Sequence, residues 1–389
     1  MSGLYLHIPF CAAKCRYCDF PSYAGMEHRI GDYLDAMIAE MRALSGETWD
    51  VFDTVFIGGG TPSLLSGEQL RAMMDALRRY FKLSSDAEIS MECNPGTVDV
   101  HKLSQYHEAG VNRVSFGLQS MDTGLLKRIG RIHTPETFLQ SFHDAREAGF
   151  ININVDIMSG LPGQTLFDYL DTLRRVADLD PEHISAYGLI LEEGTPLISD
   201  VQKGIEAVPD EDAVSDMLDA GMGMLNERGY ERYEISNFAR QEYACRHNLN
   251  YWSNGEYLGI GAAAHSAWRL YETGKSAWTR WNNPAELDAY IETAGIPLAA
   301  RKLVRIATNE EAFETIMLGL RTVQGVSLAA FFERFSCSLE QFFPSAVKTL
   351  SANGWLQIMD GYARLSPRGL DMQNAALQYF LEESEKAPD

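Results

Sequence analysis

Apolar and polar residues alternate with a period of two in four separate stretches of the chain. In Ile151–Ile157, Ile151, Ile153, Val155 and Ile157 oppose Asn152, Asn154 and Asp156; in Arg113–Gln119, Val114, Phe116 and Leu118 oppose Arg113, Ser115, Gly117 and Gln119. Ile89, Met91 and Cys93 oppose Glu88, Ser90 and Glu92, and Leu4, Leu6 and Ile8 oppose Tyr5 and His7. This period predicts strands with one apolar and one polar face. Two more strand-like runs begin near Thr54 and Glu182, and helical patterning fills the gaps over Tyr33–Leu44, Gln69–Phe81, Pro135–Ala148 and Leu166–Ala177. Six strand–helix alternations predict an α/β chain with a parallel sheet. Being fewer than the eight that close a TIM barrel, they predict a partial, three-quarter (β/α)6 TIM-like barrel. Strands packed on both faces would read as nearly continuous apolar runs. The polar faces here are therefore assigned to a solvated or ligand-filled interior. An antiparallel sheet with one wet face would give the same alternation, but the intervening helices oppose it.

Past a helical stretch over Asp210–Arg228 and one further strand over Tyr230–Ser236, the character changes. Residues 237–283 are rich in aromatics and glycine and lack a helical period, which predicts a loop-rich connecting region. From Pro284 the chain reads as mostly helical, through Glu310–Leu320 and Leu328–Arg334. Two short strands, Gly354–Asp360 and Ala363–Leu365, then flank Gly361, with a helix over Gly369–Leu381 and a frayed acidic tail from Glu382. The expected division is a barrel over 1–236, a connecting region over 237–283 and a smaller winged-helix-like module over 284–389.

Composition narrows the class. With 389 residues, 46% of them hydrophobic, the chain exceeds the roughly 250–300 residues at which one core stops growing. No apolar run reaches the length of a membrane span and no leader precedes the first strand, so a cytoplasmic protein is expected. A formal charge of -21 argues against nucleic acid as the main partner. Cys93, Cys245 and Cys337 stand singly, which fits a reducing compartment, and Cys93 and Cys337 read as packed thiols.

Chemistry concentrates at the predicted C-terminal strand ends, where α/β barrels carry their sites. Cys11, Cys15 and Cys18 fall in a CxxxCxxC pattern directly after the first strand. Three thiolates on one loop suit an Fe–S cluster with one position left open. Zinc, with His7 as a fourth ligand, is the alternative on spacing alone. At the other strand ends stand Gly58-Gly59-Gly60-Thr61, Glu92, Gln119, Asp156 and Tyr187. The glycines admit a ligand close to the backbone, and GGGTP lacks both the P-loop Lys and the GxGxxG spacing. His247, in HNLNYW, reads either as a hydrogen-bonded structural imidazole or as a heme ligand beside aromatics.

The combination of CxxxCxxC with Tyr17, IGGGTPS, MECNPG, RVSFGLQS and DIMSGLPGQT resembles the radical S-adenosylmethionine proteins of the coproporphyrinogen-oxidase-like group. That resemblance implies a 4Fe-4S cluster on Cys11, Cys15 and Cys18. It places Tyr5 and Tyr17 by the cluster, Gly59, Gly60 and Thr61 on the methionine moiety, and Glu92, Gln119, Arg131 and Asp156 around the rest of S-adenosylmethionine. The decarboxylating oxidases of the group carry a further cysteine two residues after the third and a longer amino-terminal extension. Here that position is Phe20, and only ten residues precede Cys11. Both departures, with the HNxxYW pattern at His247, resemble the heme-chaperone branch instead. That branch implies heme as cargo, delivered to acceptor proteins with membrane-bound respiratory enzymes as candidates, no nucleic-acid partner, and leaves a homodimer open. One departure is Ala263, where the group's pattern leads one to expect glycine.

Overall fold

The structure, a computed structural model, describes residues 1–47, 49–272 and 275–385. Six strands, β1 (Ser2–Ile8), β2 (Phe52–Gly59), β3 (Leu83–Cys93), β4 (Arg113–Gln119), β5 (Ile153–Ser159) and β6 (His183–Gly188), run parallel and neighbour one another in chain order. Between them lie α1 (Ile30–Leu44), α2 (Gly67–Tyr80), α3 (Val100–Glu108), α4 (Pro135–Glu147) and α5 (Leu166–Ala177), and α6 (Glu211–Glu227) follows β6. Helix starts are written locally. Ser66 and Gln69 form a reciprocal capping box on α2, Thr165 and Asp168 another on α5, and Thr134 caps α4 with Pro135 in its first turn.

The alternation sorts as expected. Leu4, Leu6 and Ile8, Val114, Phe116 and Leu118, and Ile153, Val155 and Ile157 are fully buried in one cluster with Met37, Met73, Phe142 and Leu173 of the helices. Each such side chain contributes about 1.5–3 kcal/mol. The opposite face is buried too. Ser90, Arg113, Ser115, Asn154 and His183 are all at most 5% exposed, so much of the interior is a closed polar network rather than water. Ile151 departs from its expected place: it is 72% exposed, because β5 begins at Ile153, opposite Val114 of β4, and Phe150 takes the buried position before it.

The largest difference lies downstream. Residues 237–283 are not loop-rich; they extend the same sheet. After β7 (Glu231–Arg232) come β8 (Asn237–Ala239), the helix α7 (Arg246–Trp252), and strands β9 (Glu256–Ile260), β10 (His265–Glu272), β11 (Lys275–Asn282) and β12 (Val304–Arg305). The single strand expected over Tyr230–Ser236 is thus only two residues long. The sheet order is β12-β11-β10-β9-β1-β2-β3-β4-β5-β6-β8-β7, with β9 parallel to β1. Ala263, where glycine was expected, does adopt a left-handed φ of 57° at the turn between β9 and β10, and its N–H donates to the Pro284 carbonyl at 2.9 Å. That conformation costs a non-glycine residue about 1–2 kcal/mol.

The carboxy-terminal part has its own hydrophobic cluster, including Ile316, Phe331, Phe343, Leu350 and Phe380. Helices Thr308–Gly319, Leu328–Phe335, Pro344–Ala352 and Gln373–Ser384 surround a small sheet of Val326–Ser327, Tyr362–Leu365 and Leu356–Met359. Pro344–Ala352 was not foreseen, and the helix expected over Gly369–Leu381 is two, Pro367–Asp371 and Gln373–Ser384. The expected tail is helical as far as Ser384, and its last four residues lie outside the described residues. No helix among the described residues is long and apolar enough to cross a membrane.

One buried ion pair joins the sheet extension to the barrel. The Glu40 carboxylate of α1, fully buried, accepts from Arg301 at 2.9 Å, Asn283 at 2.9 Å, Tyr290 at 2.7 Å and the Gly261 N–H at 3.0 Å. Removing the guanidinium leaves a buried charge uncompensated, so Arg301→Ala should lower unfolding free energy by about 3–5 kcal/mol. In the same denaturant titration Arg71→Ala, which breaks the exposed pair with Glu108, should cost no more than about 1 kcal/mol.

Candidate active site at the C-terminal strand ends

A cavity of about 570 Å³ opens at the C-terminal ends of the parallel strands. Cys11, Cys15 and Cys18 line it, together with Tyr17, Gly59, Gly60, Thr61, Glu92, Gln119, Arg131 and Asp156. Tyr5 and His247 do not. All three thiols are free. Among the described residues no three His, Cys, Asp or Glu side chains converge on a single ion position. Three free thiols on one loop are a soft donor set that suits an iron–sulfur cluster with one position left open. His7 also has both ring nitrogens occupied, Nδ1 by the Tyr5 hydroxyl at 2.9 Å and Nε2 by the Pro21 carbonyl at 2.9 Å. It orients Tyr5 and pins the chain beyond the cysteine loop.

The glycine run, which lines the cavity at Gly59 and Gly60, is also pressed by the chain itself. At Gly59, with φ at 114°, a β-carbon would lie 2.6 Å from the His7 ring; at Gly60 it would meet the Phe10 carbonyl at 2.7 Å and Cys11 Sγ at 3.0 Å. The close approach is that of the chain's own cysteine loop. The Gly59 N–H is likewise taken, donating to Glu92 at 3.0 Å.

Hydrogen bonds connect the cysteine loop to the strand ends. Arg131 donates to the Tyr17 hydroxyl at 3.1 Å and to Asn94 at 2.9 Å; Asn94 donates to Thr61 at 2.9 Å, whose hydroxyl points at Cys11 Sγ, 3.6 Å away. Deeper down, Asp156 accepts from Ser115 at 3.1 Å and Asn154 at 2.7 Å. Gln119 sits at a left-handed φ of 73° where the pairing of β4 with β5 shifts register, and accepts from the Tyr187 hydroxyl at 3.0 Å. Such strain re-aims a side chain into a site. Asn94, Arg113 and Asn154 were missed as site residues. Asn94 stands inside MECNPG and Asn154 two residues before Asp156, so strand period and motif both carried the signal.

Electrostatically the cavity is acidic at its centre. Burial, with Asp156 beside it, pushes Glu92 up to about 7, and burial raises Asp156 as well. Arg113 Nε, Arg131 Nε and Asn237 Oδ1 face the cavity or its wall, buried and without a protein partner. A polar ligand that offers an acceptor to the guanidinium donors and a cationic group to the two carboxylates fits this lining. Cys93 and Cys245, pushed up to about 12 by burial, are inert packed thiols.

His247 lies below, on α7, 1% exposed. Its Nδ1 is 2.8 Å from the Thr54 hydroxyl, its ring stacks on Phe56 at 5.2 Å, and Nε2 has no partner. Burial, aided by Arg113, pulls it down to about 3, so the imidazole is neutral.

Residues 5–176 match the model of the radical SAM superfamily, and residues 306–372 that of the HemN C-terminal domain. The chain is 39% identical to the heme chaperone HemW of Bacillus subtilis, over 98% of this chain and 100% of that one. It is 34% identical to the heme chaperone HemW of Escherichia coli, over 98% of each. The mouse mitochondrial radical S-adenosyl methionine domain-containing protein 1 is 36% identical over 84% of this chain and 74% of its own. Among solved structures, the radical SAM enzyme coproporphyrinogen III oxidase (HemN) of Escherichia coli superposes with a TM-score of 0.81 at 23% identity, covering 97% of this chain and 89% of that one.

Two measurements probe this geometry. Gly60→Ala should displace Cys11 and lower iron and sulfide content after anaerobic reconstitution, read by elemental analysis, while Gly46→Ala, where a β-carbon meets nothing, should not. Between about 4.5 and 7 the folded chain keeps a proton on Glu92 that the unfolded chain has released, so this group lowers stability as pH rises through that window. A cationic ligand prefers the carboxylate, so S-adenosylmethionine affinity measured by calorimetry should increase as pH climbs through about 7. Glu92→Gln should flatten that rise.

Proposed function

We propose that this chain, which belongs to the HemW heme-chaperone family within the radical SAM superfamily, binds heme and hands it to acceptor proteins. The observation that carries the reading is the full-length likeness to heme chaperones. It is supported at the cysteine loop by Phe20, 61% exposed at the cavity rim, where the decarboxylating branch would place another cysteine.

Cys11, Cys15 and Cys18 would hold a 4Fe-4S cluster, and the cavity they line would take S-adenosylmethionine. When bound, this pair supplies one-electron reduction of a sulfonium. The protein's own part is placement. Gly60 gives Cys11 its position, and Thr61 directs a hydroxyl at that sulfur. Arg131 locks Tyr17 over the loop, Glu92 and Asp156 set a negative potential for the ligand's cationic groups, and Gln119 is aimed inward by its strained backbone. Tyr5 acts at one remove, through His7 and the chain at Pro21. The acceptors are proteins that need heme, with membrane-bound respiratory enzymes as the candidate class, and a homodimer is the oligomeric state to examine. Six free cysteines suit the reducing cytoplasm as its place of work.

The rival activity has a direct assay. Reconstituted, reduced protein given S-adenosylmethionine and coproporphyrinogen should release no decarboxylated product by mass spectrometry, and stoichiometric heme binding should appear by absorbance. Multiple turnovers to decarboxylated porphyrinogen would sink the chaperone reading.

A further inference from the structure

The two residues between Cys15 and Cys18 serve different sides of their loop. Tyr17 lines the cavity and is held there by Arg131. Arg16 is not part of that lining, and its contacts run to two other segments of the chain. Its N–H donates to the Ile129 carbonyl at 3.0 Å and its guanidinium to the Arg128 carbonyl at 2.8 Å. Its carbonyl accepts from the Leu197 N–H at 2.9 Å, while the guanidinium also pairs with Asp200 and lies 3.6 Å from Glu206. Gly130, at a φ of 76°, makes room for this packing, since a β-carbon there would come 2.9 Å from Arg16 Cγ.

Leu197, Asp200 and Glu206 belong to one strap, residues 189–210, that joins β6 to α6. At its root Ile190 and Glu192 line the cavity. Its short helix, Pro196–Gln202, stands between Gly194 and Gly204, both left-handed and both with open space where a β-carbon would sit. Glycines at both ends give the helix little backbone restraint of its own. What holds it is charge. The Asp200 and Glu206 side chains are 21% and 14% exposed, so their pairs with Arg16 are screened less than pairs at the surface. Glu206 pairs with Arg128 as well, at 3.5 Å. A guanidinium that bridges a metal-binding loop and a neighbouring segment fixes the backbone from which the ligands project, as the outer partners of metal ligands do.

We propose that Arg16 is a positioning residue of the cluster site: it latches the strap onto the cysteine loop and so holds Cys15 and Cys18 at the spacing that a cluster needs. The inference rests on the reading of Cys11, Cys15 and Cys18 as cluster ligands and adds the residue that keeps two of them in place. Lys14, a second cation in the same loop, donates to the Phe20 carbonyl at 3.1 Å and, among the described residues, makes no bond to the strap.

Two readouts on the full-length protein test the latch. In the metal-free protein, trypsin cuts the strap after the exposed Lys203 at a rate that follows how often the strap opens; Arg16→Gln and Asp200→Asn should each raise that cleavage about fivefold or more. Lys14→Gln should leave it at the parent rate. Asp200→Asn, outside the cysteine loop, serves should Arg16→Gln fail to fold. In protein reconstituted anaerobically, cluster absorbance should be lost to an iron chelator about tenfold faster in the two latch variants. Unchanged cleavage in both variants would overturn the latch. Faster cleavage with cluster loss at the parent rate would leave Arg16 a contact of the fold and overturn its positioning role. A parent protein that takes up no iron or sulfide would overturn the cluster reading and the positioning role together, while the cleavage rates would still report on the latch.

Discussion

One carboxylate holds the floor of this barrel in place. Glu88, on the polar face of β3, accepts the backbone N–H groups of Arg246 at 3.2 Å and His247 at 3.3 Å and lies 3.5 Å from the Cys245 thiol. An anion at the amino end of α7 is where the helix dipole favours it, and the buried Arg113 balances its charge from β4. A six-stranded arc leaves the lower end of its polar lumen open to be filled by something other than its own strands. The HNLNYW segment fills it, and everything above, from the Asn154–Asp156 network to the cysteine loop, is built on a closed bottom.

Buried polarity on this scale is tolerated because nearly every group is answered. Asn154 alone bonds Ser115, Asp156, His183 and Ser185, at 2.6–3.1 Å, and His183 passes the chain on to the Tyr233 hydroxyl at 2.8 Å. Such networks rigidify when complete and are costly when broken. Exceptions are scattered through the chain, from Ser90 and Asn152 to Trp278 and Trp355, and three of them, on Arg113, Arg131 and Asn237, belong to residues that line the cavity at the strand ends.

Much of this was readable before the structure. The period-two alternation placed the apolar face of β1, β3, β4 and β5 and hence the direction of Glu92, Gln119 and Asp156. The helix α5 was legible residue for residue, because Thr165 and Asp168 write its start and the apolar period ends at Ala177. What failed was long-range pairing. Strand β9 joins β1 in register Leu4 to Leu258, and nothing in the five residues Glu256–Ile260 announces a partner 254 positions away in a parallel ladder. The burial of His247 was not readable locally either: it depends on Gly3, where a β-carbon would come within 2.9 Å of the ring. Both have one cause, since a side chain's environment here is set by strands distant in the sequence.

The cysteine loop is fastened at three places by backbone alone. Tyr23 N–H donates to the Pro9 carbonyl at 2.6 Å, Arg16 N–H to Ile129 at 3.0 Å, and Leu197 N–H to the Arg16 carbonyl at 2.9 Å, with an Arg16–Asp200 ion pair alongside. None of these bonds involves a cysteine side chain. The loop's backbone is therefore anchored to neighbouring segments of the barrel by contacts separate from its thiols. The ordering entropy that usually weakens capture by a mobile loop, about 1–2 kcal/mol for each residue fixed, is met during folding.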